Sequence, residues 1–301
     1  MKQILILTGG TAKKLDLFKE PIERLGLGVT LACFYDLHYI STDKNKKGMV
    51  IRMGINDLTD FSLIYIRMVG KSMEEATLVV NYARDHNIKV IDRVYDAAVF
   101  IPSTISKAME MQKLIDADIS IPKTLFASLA KLKILGPQEF DFPFVLKSTS
   151  GRKARDAWIV ENSEKMEELF GVLREREKMG TNFFAQSLIM ATQRIRVLVV
   201  GNEAVGAITR PTKWRKIVNG GQEVEGKKEA LMNIEKRYVD LALKGAKAVD
   251  LDIAGVDILE EDNTGNLFII EVNAAPAWKL ITKDCKVNVE EKILNFLVSK
   301  I

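Results

Sequence analysis

Residues 253–259 read IAGVDIL and residues 267–273 read LFIIEVN, with EDNTGN closing the gap before the second run. Two apolar runs around an Asn/Asp/Gly-rich connector predict a β-hairpin. With its turn centred near Thr264, Asp257 falls opposite Glu271. Side chains alternate along a strand, so Glu271 and Asn273 share a face, and in this register Asp257 joins them. A slip of one residue would part them. Two carboxylates at short range in apolar surroundings repel, so either one is protonated or a cation sits between them. Together with the Asn273 amide oxygen they form a hard-oxygen set that suits magnesium held jointly by protein and substrate phosphates. A solvated hairpin face, with Asn273 opening a turn, fits the same letters. So does a carboxylate pair doing acid–base work on a glycoside.

Working outward, metal-bound phosphates need positive partners. Lys147 ends the apolar stretch PFVLK (143–147), where a lysine either snorkels outward or points into a site. The loop after it, 148–155, reads STSGRKAR, and its amides and cations suit phosphate. Lys107 lies on a helix predicted over 103–117, capped by Ser103; taken alone it is an ordinary solvated lysine. Arg194 and Arg196 share one face of a strand over 194–200, and Arg210 ends its partner over 203–210. Across an ideal two-residue hairpin at Gly201-Asn202, Arg210 faces away from Arg196, so convergence requires twist or a bulge. Lys213, Trp214, Arg215 and Lys216 add a basic aromatic patch, for which nucleic acid is the competing ligand. A net charge of only +4, with acids interspersed, argues against nucleic acid.

The other elements follow from periodicity. Strands are predicted over 3–7, 28–35, 61–67 and 88–92, with a helix over 14–25. A capping box Ser72-x-x-Glu75 opens another helix running to His86. This alternation predicts an α/β N-terminal domain, residues 1–98. Gly9-Gly10 lacks a phosphate-loop ending and reads as a plain turn. Beyond it come strands over 123–127, 143–148, 157–160 and 183–189 and a helix over 164–178. A long helix carries Leu231, Ile234, Tyr238, Leu241, Gly245 and Ala248, and Asn288 caps the closing helix. Strands and helices mix here without a βαβ rhythm, which reads as α+β. The domains are thus 1–98, 99–180 with the loop 148–156, and 181–301 with the hairpin.

The chain has 301 residues, 47% hydrophobic and 28% charged, an ordinary globular balance with ample chain for a core. Cys33 and Cys285 lack metal-ligand spacing and fit a reduced, cytoplasmic protein. Two histidines leave little for zinc or histidine catalysis. No run reaches transmembrane length, and the first residues read as a strand, not a signal peptide.

Here the pieces resemble a family. IAGVDIL (253–259) with EVNAAP (271–276) is similar to the closing hairpin of ATP-grasp ligases, above all the RimK-like enzymes. SKAMEMQKLIDADISIPKT (106–124), PFVLK, FFAQSLI (183–189) and RIRVLVVGNEAVGAITR (194–210) extend the likeness over most of 103–280. The resemblance implies two α+β subdomains gripping ATP behind an α/β pre-ATP-grasp domain. It implies ATP-dependent carboxylate–amine ligation through an acyl-phosphate, adding an amino acid such as glutamate to a peptide, protein or small-molecule carboxylate. Lys107 and Lys147 become phosphate contacts, and Gln186, Ser187, Leu188 and Ile189 the strand edge beside adenine. Asp257, Glu271 and Asn273 become magnesium ligands, with manganese as the substitute. Arg196 and Arg210 meet the γ-phosphate or acyl-phosphate and the substrate carboxylate. The loop 148–156 becomes a lid over the phosphates. Ala154 and Asp156 stand where glycines are expected, Ser187 replaces an acid, Arg194 stands where an Asp often precedes Ile-Arg, and Asn219 aligns poorly. A non-ligating nucleotide- or partner-binding protein and a ligase that cyclises peptide side chains are the alternatives. An acidic peptide is a candidate substrate from the basic loops, and an exposed apolar N-terminal face would suit a homo-oligomer.

Overall fold

The structure, a computed structural model, describes residues 3–41, 49–97, 106–149, 156–212, 229–231 and 233–301. Ser103, the centre of the 148–156 loop, the 213–216 patch, Asn219 and the junction near 98 lie outside these residues.

The N-terminal part holds β1 (Ile4–Thr8), a 3-10 segment (Ala12–Phe18) running into α1 (Lys19–Leu25), and β2 (Val29–Cys33). Then come β3 (Leu37–Ser41), β4 (Met49–Met53), β5 (Asn56–Asp57), β6 (Leu63–Met68), α2 (Met73–Asp85) and β7 (Lys89–Ile91). β2-β1-β6-β7 form one parallel sheet. The unbroken run ILIL of β1 follows from burial on both faces. Leu5 and Leu7 pack with Val79 and Ala83 of α2, while Ile4 and Ile6 join a core built with the C-terminal elements. Gly9 is a turn residue, as expected: a Cβ there would lie 2.1 Å from the Val69 carbonyl oxygen. Three expectations change. The helix predicted over 14–25 is 3-10 in its first half. β3, β4 and β5 form a separate antiparallel sheet that alternation did not reveal. Ser72 sits at the N-cap of α2, but its hydroxyl is buried and caps nothing, so no capping box forms.

Next come α3 (Lys107–Asp116), β8 (Thr124–Phe126), α4 (Leu129–Phe140), β9 (Phe144–Ser148), β10 (Ala157–Val160), α5 (Ser163–Lys178) and β11 (Phe183–Ser187). β10-β9-β11-β8 make an antiparallel sheet, covered on one side by α4 and α5 through Leu132, Phe144, Phe170 and Phe183. α4 is absent from the sequence reading because Gly136-Pro137 lies inside it and reads as a stop.

β12 (Gln193–Val200), β13 (Glu203–Pro211), β14 (Glu229–Leu231), α6 (Lys236–Ala248), β15 (Ile253–Glu260), β16 (Leu267–Asn273), α7 (Lys279–Asp284) and α8 (Val289–Ser299) complete the fold. The long helix starts at Lys236, and Leu231 belongs to β14 instead. Asn288 caps α8 as expected, its Oδ1 accepting from the Glu291 N–H at 2.9 Å. The strands form one antiparallel sheet in the order β14-β13-β12-β15-β16. One face packs on α6 through Val197, Val256 and Ile258. The other packs on α7 and α8 through Leu198, Ile208 and Ile253. Among the described residues no helix is long and apolar enough to cross a membrane.

Candidate functional site

Along one face of β12 the residues run Val200, Leu198, Arg196, Arg194, from apolar to basic. The apolar end meets the C-terminal helices. The basic end has two neighbours, each placed by a bulge. Between β12 and β13 the register shifts at Leu198/Val199, which sets Arg194 directly opposite Arg210. This is the irregularity the sequence demanded for convergence. Between β15 and β16 it shifts at Asp257/Ile258, so Asp257 faces Glu271 and Gly255 faces Asn273. The strand ends beyond that point pair one residue out of step, Leu259 with Phe268. An unbulged hairpin in that outer register would turn Glu271 to the opposite face.

Asp257 is fully buried, which an ionised carboxylate tolerates only when paired and hydrogen-bonded. Arg196 supplies both, with Nε donating to Oδ1 at 2.5 Å and Nη2 to Oδ2 at 2.7 Å. Arg194 Nη1 lies 3.4 Å from the same Oδ2. Burial opposes the Arg196 charge, but the Asp257 hydrogen bonds outweigh it and the guanidinium is held above its ordinary range. Arg210 moves the other way: burial lowers it, and Arg196 and Arg194 beside it add to the effect. The Nε atoms of Arg194 and Arg210 are buried without a hydrogen-bond partner.

α3 leans on the free edge of β16. Lys107, its first residue, places Nζ 2.9 Å from Glu271 Oε1 and 2.8 Å from Glu110 Oε2. Burial works against the ammonium, yet the charges of Glu110 and Glu271 raise it. Glu271 is held below the usual carboxylate range because Lys107, then Arg196, overcome its burial. Asn273 Nδ2 donates to the Gly255 carbonyl at 3.3 Å. Gly255 itself has no room for a side chain: a Cβ would sit 2.7 Å from Pro276 Cβ.

From the other sheet, Lys147 Nζ donates to Gln186 Oε1 at 2.6 Å, and Gln186 Nε2 donates to Thr124 Oγ1 at 2.8 Å. Burial, then the charge of Lys107, push the Lys147 ammonium down to about 8. Lys147 forms no ion pair among the described residues. Gln186 is buried, so its side chain supports Lys147. The Ser187 N–H donates to the Lys123 carbonyl at 2.9 Å, and the strand ends there. Leu188 and Ile189, expected on that strand, follow it as irregular backbone.

Sequence reasoning missed Glu110 and placed Arg194 on the face of Arg196 without giving it a role. Lys107, Glu110, Met111 and Leu114 fall on one helix face, so a glutamate on the apolar stripe of α3 was the available signal. With them, five basic side chains (Lys107, Lys147, Arg194, Arg196, Arg210) meet three carboxylates (Glu110, Asp257, Glu271). The surplus and the two orphaned Nε atoms fit a polyanion. The oxygens of Asp257, Glu271 and the Asn273 amide are of the hard kind that a divalent cation takes. No three His, Cys, Asp or Glu side chains gather as a metal cluster among the described residues.

Comparison with known proteins agrees with this geometry. Residues 104–297 match the RimK-like ATP-grasp domain family. Over 133 residues the chain is 34% identical to the tetrahydromethanopterin:alpha-L-glutamate ligase of Methanocaldococcus jannaschii, covering 42% of this chain and 43% of that protein. A probable alpha-L-glutamate ligase of Mannheimia succiniciproducens is 22% identical, over 81% of this chain and 79% of its own length. Among solved structures, the ATP-grasp ligase PsnB complexed with a minimal precursor superposes with a TM-score of 0.72 at 16% identity, over 100% of both chains. Since the matched stretch contains every residue of the charged cluster, from Lys107 to Asn273, the chain belongs to the RimK-like ATP-grasp family.

Proposed function

We propose that the protein joins a carboxylate to an amine at the expense of ATP, with glutamate as the amine donor. What supports this reading is the excess of positive charge at Arg194 and Arg210, on the same sheet face as Asp257, Glu271 and Asn273, with Lys147 brought beside Lys107 and Glu271 from the other sheet. Glutamate follows from the names of the relatives. The substrate carboxylate attacks the γ-phosphorus of ATP, giving an acyl-phosphate and ADP. The amine then attacks the acyl carbon, phosphate leaves, and an amide forms.

Lys107 and Lys147 hold the nucleotide phosphates, and the backbone of Gln186–Ile189 borders the adenine. Arg196 and Arg210 face the transferring phosphoryl group and the acyl-phosphate. These cations act by fixed position and charge, which cost no reorganisation as negative charge moves from γ-phosphate to acyl-phosphate. Asp257, Glu271 and Asn273 would hold the divalent cation, magnesium by its preference for hard oxygen. When bound, it would neutralise phosphate oxygens. Asp257 has both oxygens on Arg196 here, so cation and guanidinium compete for one carboxylate.

The test is ADP release in the presence of candidate carboxylates and amines, with the product mass determined. ADP formation that requires both co-substrates, with a product heavier by one amino-acid residue, is expected. In the same assay Glu271→Gln is expected to reduce turnover at least about a hundredfold while the circular-dichroism spectrum stays native. Full activity of that variant would remove Glu271 from the cation site.

A further inference from the structure

Glu110 is a charged side chain with 2% of its surface exposed, on the apolar face of α3. Its two oxygens do different things. Oε2 takes the Lys107 ammonium at 2.8 Å. Oε1 accepts the Val272 N–H at 2.7 Å. Val272 lies between Glu271 and Asn273 on β16, an edge strand whose outward N–H groups need partners. One carboxylate thus ties the helix bearing Lys107 to the backbone joining Glu271 and Asn273. The Val272 bond alone would be satisfied by glutamine. The charge is needed for something else, and among the described residues the cation it touches is Lys107.

Lys107 is shared between Glu110 and Glu271, with Nζ within 3 Å of each. Glu271 cannot give its full charge to a metal ion while it also neutralises an ammonium. We propose that Glu110 is a positioning residue: it serves as the standing counter-ion of Lys107, which leaves Glu271 free for the divalent cation. Without its charge, Lys107 falls back on Glu271 and competes with the cation. This inference rests on the nucleotide and cation assignments made above.

The experiment measures ADP binding by calorimetry as magnesium is varied, with no turnover involved. In wild-type protein ADP is expected to bind more tightly as magnesium rises. Glu110→Gln can keep its oxygen on the Val272 N–H, which turns the amide NH2 toward Lys107 and drives that ammonium onto Glu271. It is expected to raise the half-effective magnesium concentration about tenfold, the usual scale for a residue that supports a metal ligand, while metal-free ADP binding stays nearly unchanged. In a Lys107→Met background the same substitution is expected to have no effect on the magnesium requirement, since nothing is left to compete. Glu110→Asp keeps the charge within reach of the flexible lysine and gives up the Val272 bond. It should melt earlier than wild type yet keep a near-normal magnesium requirement, and it carries the test if Glu110→Gln fails to fold. A magnesium titration of Glu110→Gln that overlies wild type overturns the proposal and reduces Glu110 to a strand-edge tie. So does an equal shift with Lys107 absent, or an Asp variant that needs as much metal as the Gln variant. Wild-type ADP binding that ignores magnesium is a different failure: it overturns the cation assignment itself, and this inference with it.

Discussion

Burial and the charge of Lys107 bring the Lys147 ammonium down to about 8, so the proposed nucleotide contact should depend on pH. Lys107, Arg194, Glu271 and Glu110 all act on it, and burial with Lys107 prevails, setting it at about 8. Phosphates favour the charged ammonium, so they raise it again when they bind. Below about 8 Lys147 is charged in both states and affinity is flat. Above it, binding must take up a proton, so ADP affinity is expected to fall with rising pH. Lys107 lies above its ordinary range and does not titrate in this window. Calorimetry in buffers of different ionisation enthalpy measures the proton uptake, and Lys147→Arg, charged throughout, should flatten the profile. At this scale the sequence was readable where chemistry is local. Asp257, Glu271 and Asn273 announce themselves as polar residues in apolar strands. Glu110 does not, because three residues from Lys107 it resembles a surface ion pair. Only the docking of α3 on β16 removes it from water.

Among elements, the decisive features are two one-residue bulges, at Leu198/Val199 and at Asp257/Ile258. Each turns a charged side chain onto the common face, Arg210 in one case and Glu271 in the other. Gly255 lets the Asn273–Pro276 turn close over β15, with Pro276 and Arg196 filling the space of a side chain. Gly255→Ala must push back a proline ring, so the turn and Asn273 move. The expected result is a loss of about 1–3 kcal/mol in stability, seen by chemical denaturation, together with a higher magnesium requirement for ADP binding. A variant as stable as wild type with normal metal dependence would mean the turn yields without disturbing Asn273. Strands and most helices were legible from period and punctuation. α4 was not, because Gly136-Pro137 sits within it and Gly136 packs against Phe144. Nor was the β3–β5 sheet, whose strands are short and partly exposed.

Across the whole molecule, the N-terminal parallel sheet and the C-terminal sheet share one core, in which Ile4, Ile6 and Tyr65 meet Leu198, Ile253 and Leu294. Arg67 at the end of β6 reinforces this junction. It lies 4.2 Å over the Trp278 ring and donates to the Pro276 carbonyl at 2.5 Å, at the end of the turn that follows Asn273. Trp278 in turn donates to Glu290 at 2.7 Å. Arg67→Met is expected to cost about 2 kcal/mol from the lost stacking and hydrogen bond, read as a lower denaturant midpoint with an unchanged slope. Unfolding in two separated transitions would show instead that the halves melt independently. The amino-acid sequence by itself determined most of the elements, the hairpin that carries Asp257, Glu271 and Asn273, and the likeness to ATP-grasp ligases. These depend on alternation, turn chemistry and spacing, which act over a few residues. Tertiary structure alone decided that Arg194 faces Arg210, that Glu110 is buried between Lys107 and Val272, and that Lys147 has no carboxylate partner among the described residues. Those facts depend on where a bulge falls and how a helix docks, and both are settled by packing between segments far apart in the chain.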